Sequence, residues 1–191
     1  MAKTPSTMLE IGTQAPDFSL AEPLTGQIVN LSDFQGCPLL VVFSCNHCPY
    51  VLHILRSFSV YASEIQKLGL AIVMINANDV ENYTDDSPQN MVRLAHQYGF
   101  EFPYLYDESQ QVAIAYEAAC TPDFFLFDAQ HRLVYRGQYD ASRPGNDEAV
   151  TGADLKAASQ ALLNDEKIPD QQLPSVGCNI KWRAGSEPRF S

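Results

Sequence analysis

Basic side chains are scarce in this chain. Twelve Lys and Arg stand against 23 Asp and Glu, so the 191 residues carry a formal charge of −11, which argues against nucleic acid or an anionic membrane surface as a partner. Long apolar runs are missing too. The longest, at residues 39–43 and 70–75, are strand-length and far too short for a bilayer-spanning helix. The stretch Met1-Ala2-Lys3-Thr4-Pro5-Ser6-Thr7-Met8 lacks the apolar core and cleavage site of a secretory signal, so the expectation is a cytoplasmic protein. No internal repeat or low-complexity tract occurs. The length fits one domain with a sizeable core.

Five cysteines, an odd number, argue against a static disulfide framework in a reducing compartment. They favour catalytic, redox-sensing or buried roles. What is present is Cys45-Asn46-His47-Cys48-Pro49, placed where the apolar run Leu39-Leu40-Val41-Val42-Phe43 gives way to helical periodicity. Two thiols three residues apart on a first helical turn lie within disulfide reach. The unpaired N–H groups of that turn favour thiolate over thiol, and the leading cysteine of such a motif is expected to be the acidic one. His47 would tune that thiolate by hydrogen bond or charge. A second Cys-x-x-Cys and a His-x-x-x-His are both absent, so redox chemistry outranks zinc, and neither metal nor cofactor is expected.

Apolar positions recurring at three and four from Val51 to Leu68, closed by Gly69, predict a long helix. The run at 70–75 then predicts a parallel strand through a βαβ crossover. Its carboxyl end leads to Asn78 and Asp79, which would border a site at that sheet edge. Ser87-Pro88 opens a helix to Gly99, a short strand falls near Tyr104–Tyr106, and residues 124–127 and 133–135 form a hairpin. Thr151-Gly152-Ala153-Asp154 has capping-box form and starts a last helix. The expected architecture is α/β, a central mixed sheet flanked by helices. Residues 1–11 are read as a flexible tail, 12–165 as the domain, and 166–191 as an irregular tail packing on it.

A Cys-x-x-Cys after a buried strand, a crossover helix and Thr121-Pro122 opening a later strand together resemble the thioredoxin fold. More narrowly, Gly12-Thr13-Gln14-Ala15-Pro16-Asp17-Phe18, Leu31-Ser32-Asp33-Phe34-Gln35-Gly36, the segment from Thr121 to Asp128, and Gly177-Cys178-Asn179-Ile180-Lys181-Trp182 resemble the peroxiredoxin-like thioredoxin family proteins of the AhpC/TSA superfamily. The resemblance implies a thiol-dependent, antioxidant-type oxidoreductase and a cis Pro122 against the dithiol. Cys45 would attack and Cys48 resolve. Thr121 would offer its backbone to a substrate strand, and the partners would be protein or small-molecule disulfides and thiols. Peroxiredoxins carry Pro-x-x-x-Thr-x-x-Cys, but Val41 and Cys45 hold those positions ahead of Cys48. Leu39 stands where thioredoxin has a buried acid, and His47 is placed as in protein disulfide isomerases.

Two rival readings remain. One is a thiol peroxidase fed by a thioredoxin-type reductant. The other is a metal-binding or redox-sensing module using Cys45, His47 and Cys48 with Cys120 or Cys178. Cys120, two residues before Pro122, is either a buried small hydrophobe or a neighbour of the dithiol. Cys178 is either an anchor or a second resolving thiol.

Overall fold

The computed structural model describes residues 3–188. Ten strands and four α-helices follow in the order β1 (Lys3–Pro5), β2 (Ser19–Ala21), β3 (Ile28–Asn30), β4 (Leu39–Phe43), α1 (Pro49–Gln66), β5 (Ala71–Asn76), α2 (Pro88–Tyr98), β6 (Tyr104–Tyr106), α3 (Gln111–Ala115), β7 (Cys120–Thr121), β8 (Asp123–Phe127), β9 (Leu133–Gly137), α4 (Ala153–Leu163) and β10 (Val176–Asn179). No helix among the described residues is long and apolar enough to cross a membrane.

The main sheet has the order β3-β2-β6-β5-β4-β8-β9. β4 pairs in parallel with β5 and β5 with β6, while β8 runs antiparallel to β4 and to β9. The sheet is therefore mixed, as the crossover and hairpin signals require. Every residue of β4 is buried because both faces are covered. Leu40 and Val42 point toward the layer of α1, and Leu39, Val41 and Phe43 toward the opposite layer of Tyr116 and Val112. A side-chain period of two splits the run between two cores, each Leu or Val contributing about 1.5–3 kcal/mol by burial. Phe58 centres the first core, its ring about 6 Å from those of Tyr61, Phe102, Phe124 and Tyr139.

Three expectations need correction. Residues 1–11 are not a free tail, since Lys3–Pro5 pairs antiparallel with β10; Met1 and Ala2 lie outside the described residues. The carboxyl-terminal segment is not irregular throughout, because β10 is the middle strand of a second sheet, β1-β10-β7. Short strands of three and four residues carry little signal in sequence, and pairing on both sides of β10 supplies what local propensity does not. The capping box at Thr151 is not formed either. Gly152 occupies the cap position at φ 69°, and the Asp140 carboxylate accepts from the N–H groups of Thr151 and Gly152, at 2.7 and 2.6 Å.

Asp123 opens β8 fully buried. Burial raises its pKa to about 7 despite donors from Ser6 and the Ala119, Cys120 and Phe124 amides. A carboxyl protonated in the fold but ionised when unfolded stabilises fully below its unfolded pKa near 3.9, and that contribution is lost as pH rises through about 7. Replacing Asp123 by Asn should therefore flatten the decline in stability between pH 4 and 7. The wild-type share of that decline is on the order of 4 kcal/mol, readable by urea denaturation at a series of pH values. An unchanged pH profile refutes the assignment.

A Cβ on Gly177 would overlap the Thr121 carbonyl oxygen, so β10 can reach β7 only through a residue without a side chain. Gly177→Ala should cost at least about 2 kcal/mol in chemical denaturation. A change within about 0.5 kcal/mol would mean that β10 is not held there.

Candidate functional site

The end of β4, the start of α1 and the β7–β8 junction converge at the carboxyl edge of the parallel strands. The Ser44 N–H donates to the Ile75 carbonyl at 2.8 Å, extending the β4–β5 ladder before the chain turns into Cys45-Asn46-His47-Cys48. Pro49 occupies the first helical position, where its missing N–H costs nothing, and Cys48 caps the helix. The Thr121–Pro122 bond is cis. Cys45 Sγ lies 3.5 Å from Thr121 Oγ1, and the Cys48 thiol donates to the Thr121 carbonyl at 3.2 Å. The structure thus brings Cys45, Cys48, Thr121 and Pro122 together.

It reverses the expected acidity of the two cysteines. Neither sits inside the first turn: Cys48 is the cap and Cys45 precedes the cap by three residues. Cys48 is pulled down to about 5, first by a hydrogen bond from Cys45, opposed by burial, and further by Cys178, the Thr121 side chain and the Val51 backbone. The Val51 amide faces the sulfur without closing a full capping hydrogen bond. Cys45 is pushed well above its ordinary value by burial, by donating to Cys48 and by the Asp86 carboxylate. One proton shared by two adjacent sulfurs settles on the one that lacks the helix terminus and faces a carboxylate.

Asp86 is the residue that sequence reasoning missed. It is fully buried and accepts from the Asn46 N–H and the Asn78 side-chain amide, both at 2.7 Å. His47 Nδ1 is also 2.7 Å from its Oδ2, off the line of a directed hydrogen bond. His47 thus partners Asp86, and its ring lies parallel to that of Tyr83 at 6.0 Å. Asn46 is fixed again by Tyr104 Oη, 3.0 Å from its side-chain oxygen, and by its own amide donating to the Asp85 carbonyl. In the sequence Asp85-Asp86 looks like a helix-terminal acidic pair. Only the β4–β5 adjacency brings Asp86 under the dithiol loop.

The other candidates separate. Asn78 joins Asp86 to the tail, since its Oδ1 accepts from the Lys181 N–H at 2.8 Å. Asp79 does not border the dithiol; it closes its own loop on Glu81 and Asn82 and donates its N–H to the Lys181 carbonyl. Cys120 is buried and donates to the Pro122 carbonyl at 3.6 Å, with burial keeping it protonated. Cys178 reaches Cys48. Thr121 is not free to pair with a substrate strand, because β10 already lies opposite it with Cys178 as its register partner. Cys45, His47 and Asp86 each place one potential metal-ligating atom within 4.8 Å of the other two.

Residues 11–136 match the family model described as the AhpC/TSA family. The chain belongs to the AhpC/TSA family. An uncharacterized conserved protein from Geobacillus kaustophilus, solved by crystallography, is 46% identical and superposes with a TM-score of 0.94 over 96% of this chain and 97% of its own. The thiol-disulfide oxidoreductase ResA of Geobacillus thermodenitrificans (strain NG80-2) is 29% identical over 137 residues, 68% of this chain and 70% of that protein. The thioredoxin domain of a thiol-disulfide oxidoreductase from Bacteroides vulgatus is 20% identical, with a TM-score of 0.56 over 78% of this chain and 97% of that one. The fold of this AhpC/TSA member is thus thioredoxin-like.

Loss of the Cys45 donor should raise the Cys48 pKa. In Cys45→Ala, the pH midpoint of Cys48 alkylation by iodoacetamide, followed by mass spectrometry, should move from about 5 toward the free-thiol value of about 8.5. A midpoint that stays put would show that Cys45 is not the donor.

Proposed function

We propose that the protein is a thiol-disulfide oxidoreductase whose redox pair is Cys45 and Cys48, cycling through a mixed disulfide at Cys45. The observation that carries this reading is the hydrogen-bonded thiol pair at the start of α1, with Cys48 pulled down to about 5. The name of the ResA relative points the same way. The partners are protein or small-molecule thiols and disulfides.

The acidity of Cys48 assigns the roles. In the oxidised pair, a substrate thiolate attacks Cys45, and Cys48 departs as a stabilised thiolate, because low-pKa thiols leave faster. A second substrate thiolate then attacks the substrate sulfur of the mixed disulfide. Cys45 leaves and is reprotonated, and the two electrons of the new substrate disulfide remain on the protein dithiol. In the reverse direction Cys48 attacks Cys45 in the mixed disulfide and expels the reduced product. A stabilised Cys48 thiolate makes the protein disulfide easier to reduce and hence more oxidising. Approach is from the side of His47, whose side chain is 19% exposed while both sulfurs are buried.

A thiol peroxidase at Cys48 is the second reading, favoured by the same thiolate. Against it, Cys45 replaces the upstream threonine of the peroxidase pattern. Rapid turnover of peroxide with a thioredoxin-type reductant, through a sulfenic acid on Cys48, would decide for it.

Trapping tests the leading reading. Cys48→Ser should retain partners as mixed disulfides on Cys45, mapped by mass spectrometry, and Cys45→Ser should lose them at least tenfold. Partner capture by Cys45→Ser equal to or above that by Cys48→Ser would move the attack site to Cys48 and sink the assignment.

A further inference from the structure

We propose that Cys178 is a third redox cysteine, and that strand β10 is a built-in substrate strand on which Cys48 exchanges its disulfide from Cys45 to Cys178. The proposal rests on the reading of Cys45 and Cys48 as a redox pair and adds a second exit for the disulfide.

The placement of Cys178 is built rather than incidental. β10 runs antiparallel to Cys120–Thr121 immediately before the cis bond, with Cys178 opposite Thr121. This is the edge where an extended substrate carrying a cysteine would pair, and the chain's own tail fills it. Gly177 removes the side chain that would hold the strand away from the Thr121 carbonyl. Ser175 Oγ donates to the Pro122 carbonyl at 2.6 Å on one side of β10. On the other side Lys181 is held by Asn78, by the Asp79 N–H and by Gln110, whose amide donates to the Lys181 carbonyl at 2.9 Å. Asn78 also donates to Asp86, so the same polar network clamps the dithiol loop and the tail.

The sulfurs are positioned to match. Cys48 Sγ lies 3.2 Å from the carbonyl oxygen of Thr121, the register partner of Cys178, and Cys45, Cys48 and Cys178 lie in one buried cluster, where both other thiols act on Cys48. Thiols in hydrogen-bond reach have only to close to a bond of about 2.05 Å. The Cys178 thiolate attacks Cys48 in the Cys45–Cys48 disulfide. The Cys48–Cys178 bond forms, the Cys45–Cys48 bond breaks, and Cys45 leaves as a thiolate that takes up the proton Cys178 released. No oxidant or reductant is consumed. Cys178 is pushed up to about 12 by burial, then by the hydrogen bond to Cys48 and the Cys48 charge, and the last two vanish once Cys48 is in a disulfide. The exchange returns Cys45 to the thiol state while the protein remains oxidised.

The test uses the full chain carrying Cys45→Ser, treated with oxidised glutathione, quenched in acid and mapped by mass spectrometry. A Cys48–Cys178 linked peptide pair should appear, and the Cys48–glutathione adduct should decay at least tenfold faster than in the Cys45→Ser, Cys178→Ser double variant. A persistent glutathione adduct on Cys48, or a Cys48–Cys120 link, overturns the proposal. Wild-type protein treated with one equivalent of diamide gives a second readout free of substitutions. There both Cys45–Cys48 and Cys48–Cys178 links are expected, and Cys45–Cys48 alone refutes the exchange. Substrate trapping by Cys48→Ser depends on Cys45 without Cys178, so its success or failure is read separately.

Discussion

The position of a single negative charge governs this site. Cys48 holds the cap position of α1, and its sulfur is stabilised by the neighbouring Cys45 and Cys178 thiols. Charge at a helix amino terminus is stabilised by the unpaired amides of the first turn, and two donors add to it in a region that excludes water. The Thr121 carbonyl at 3.2 Å serves the protonated form and opposes the anion. Two thiols, the Thr121 hydroxyl and the Val51 amide, set against burial and one carbonyl, leave the balance with the thiolate.

The remaining machinery keeps that balance from shifting to the neighbouring sulfur. Asp86 is fixed by Asn46 and Asn78 and lies beside Cys45, so its charge disfavours a second thiolate there. The same carboxylate holds the loop between the cysteines through the Asn46 N–H. Loop geometry and proton placement therefore share one buried group, and a change in either carries over to the other. The mixed sheet makes this possible. β4 and β5 run parallel and deliver the dithiol loop and the loop after Asn76 to the same edge.

Much of the fold was legible in the sequence because strong periodicity marked it. The β4–α1–β5 crossover, the helix opened by Pro88 and closed by Gly99 with φ 63°, and the hairpin of β8 and β9 all follow from apolar spacing and turn residues. Cys45, Cys48 and Pro122 were likewise visible as a motif and a resemblance. The ionisation order was not, because it depends on which sulfur faces Asp86, a residue with no local signal. Nor was the role of β1 and β10, where a few residues gain their structure from partners at the far end of the chain.

The register of β10 ties the chemistry to the order in which the chain is completed. Cys48 and Cys178 meet only after the residues between them have been made, and contacts so distant in sequence form late, once the loop between them has closed. A nascent chain that has built α1 and β4 to β8 carries its dithiol uncovered, with one donor to Cys48 absent. The Cys48 thiolate reaches this environment only when β10 docks on β7, which couples redox maturation to the docking of that strand.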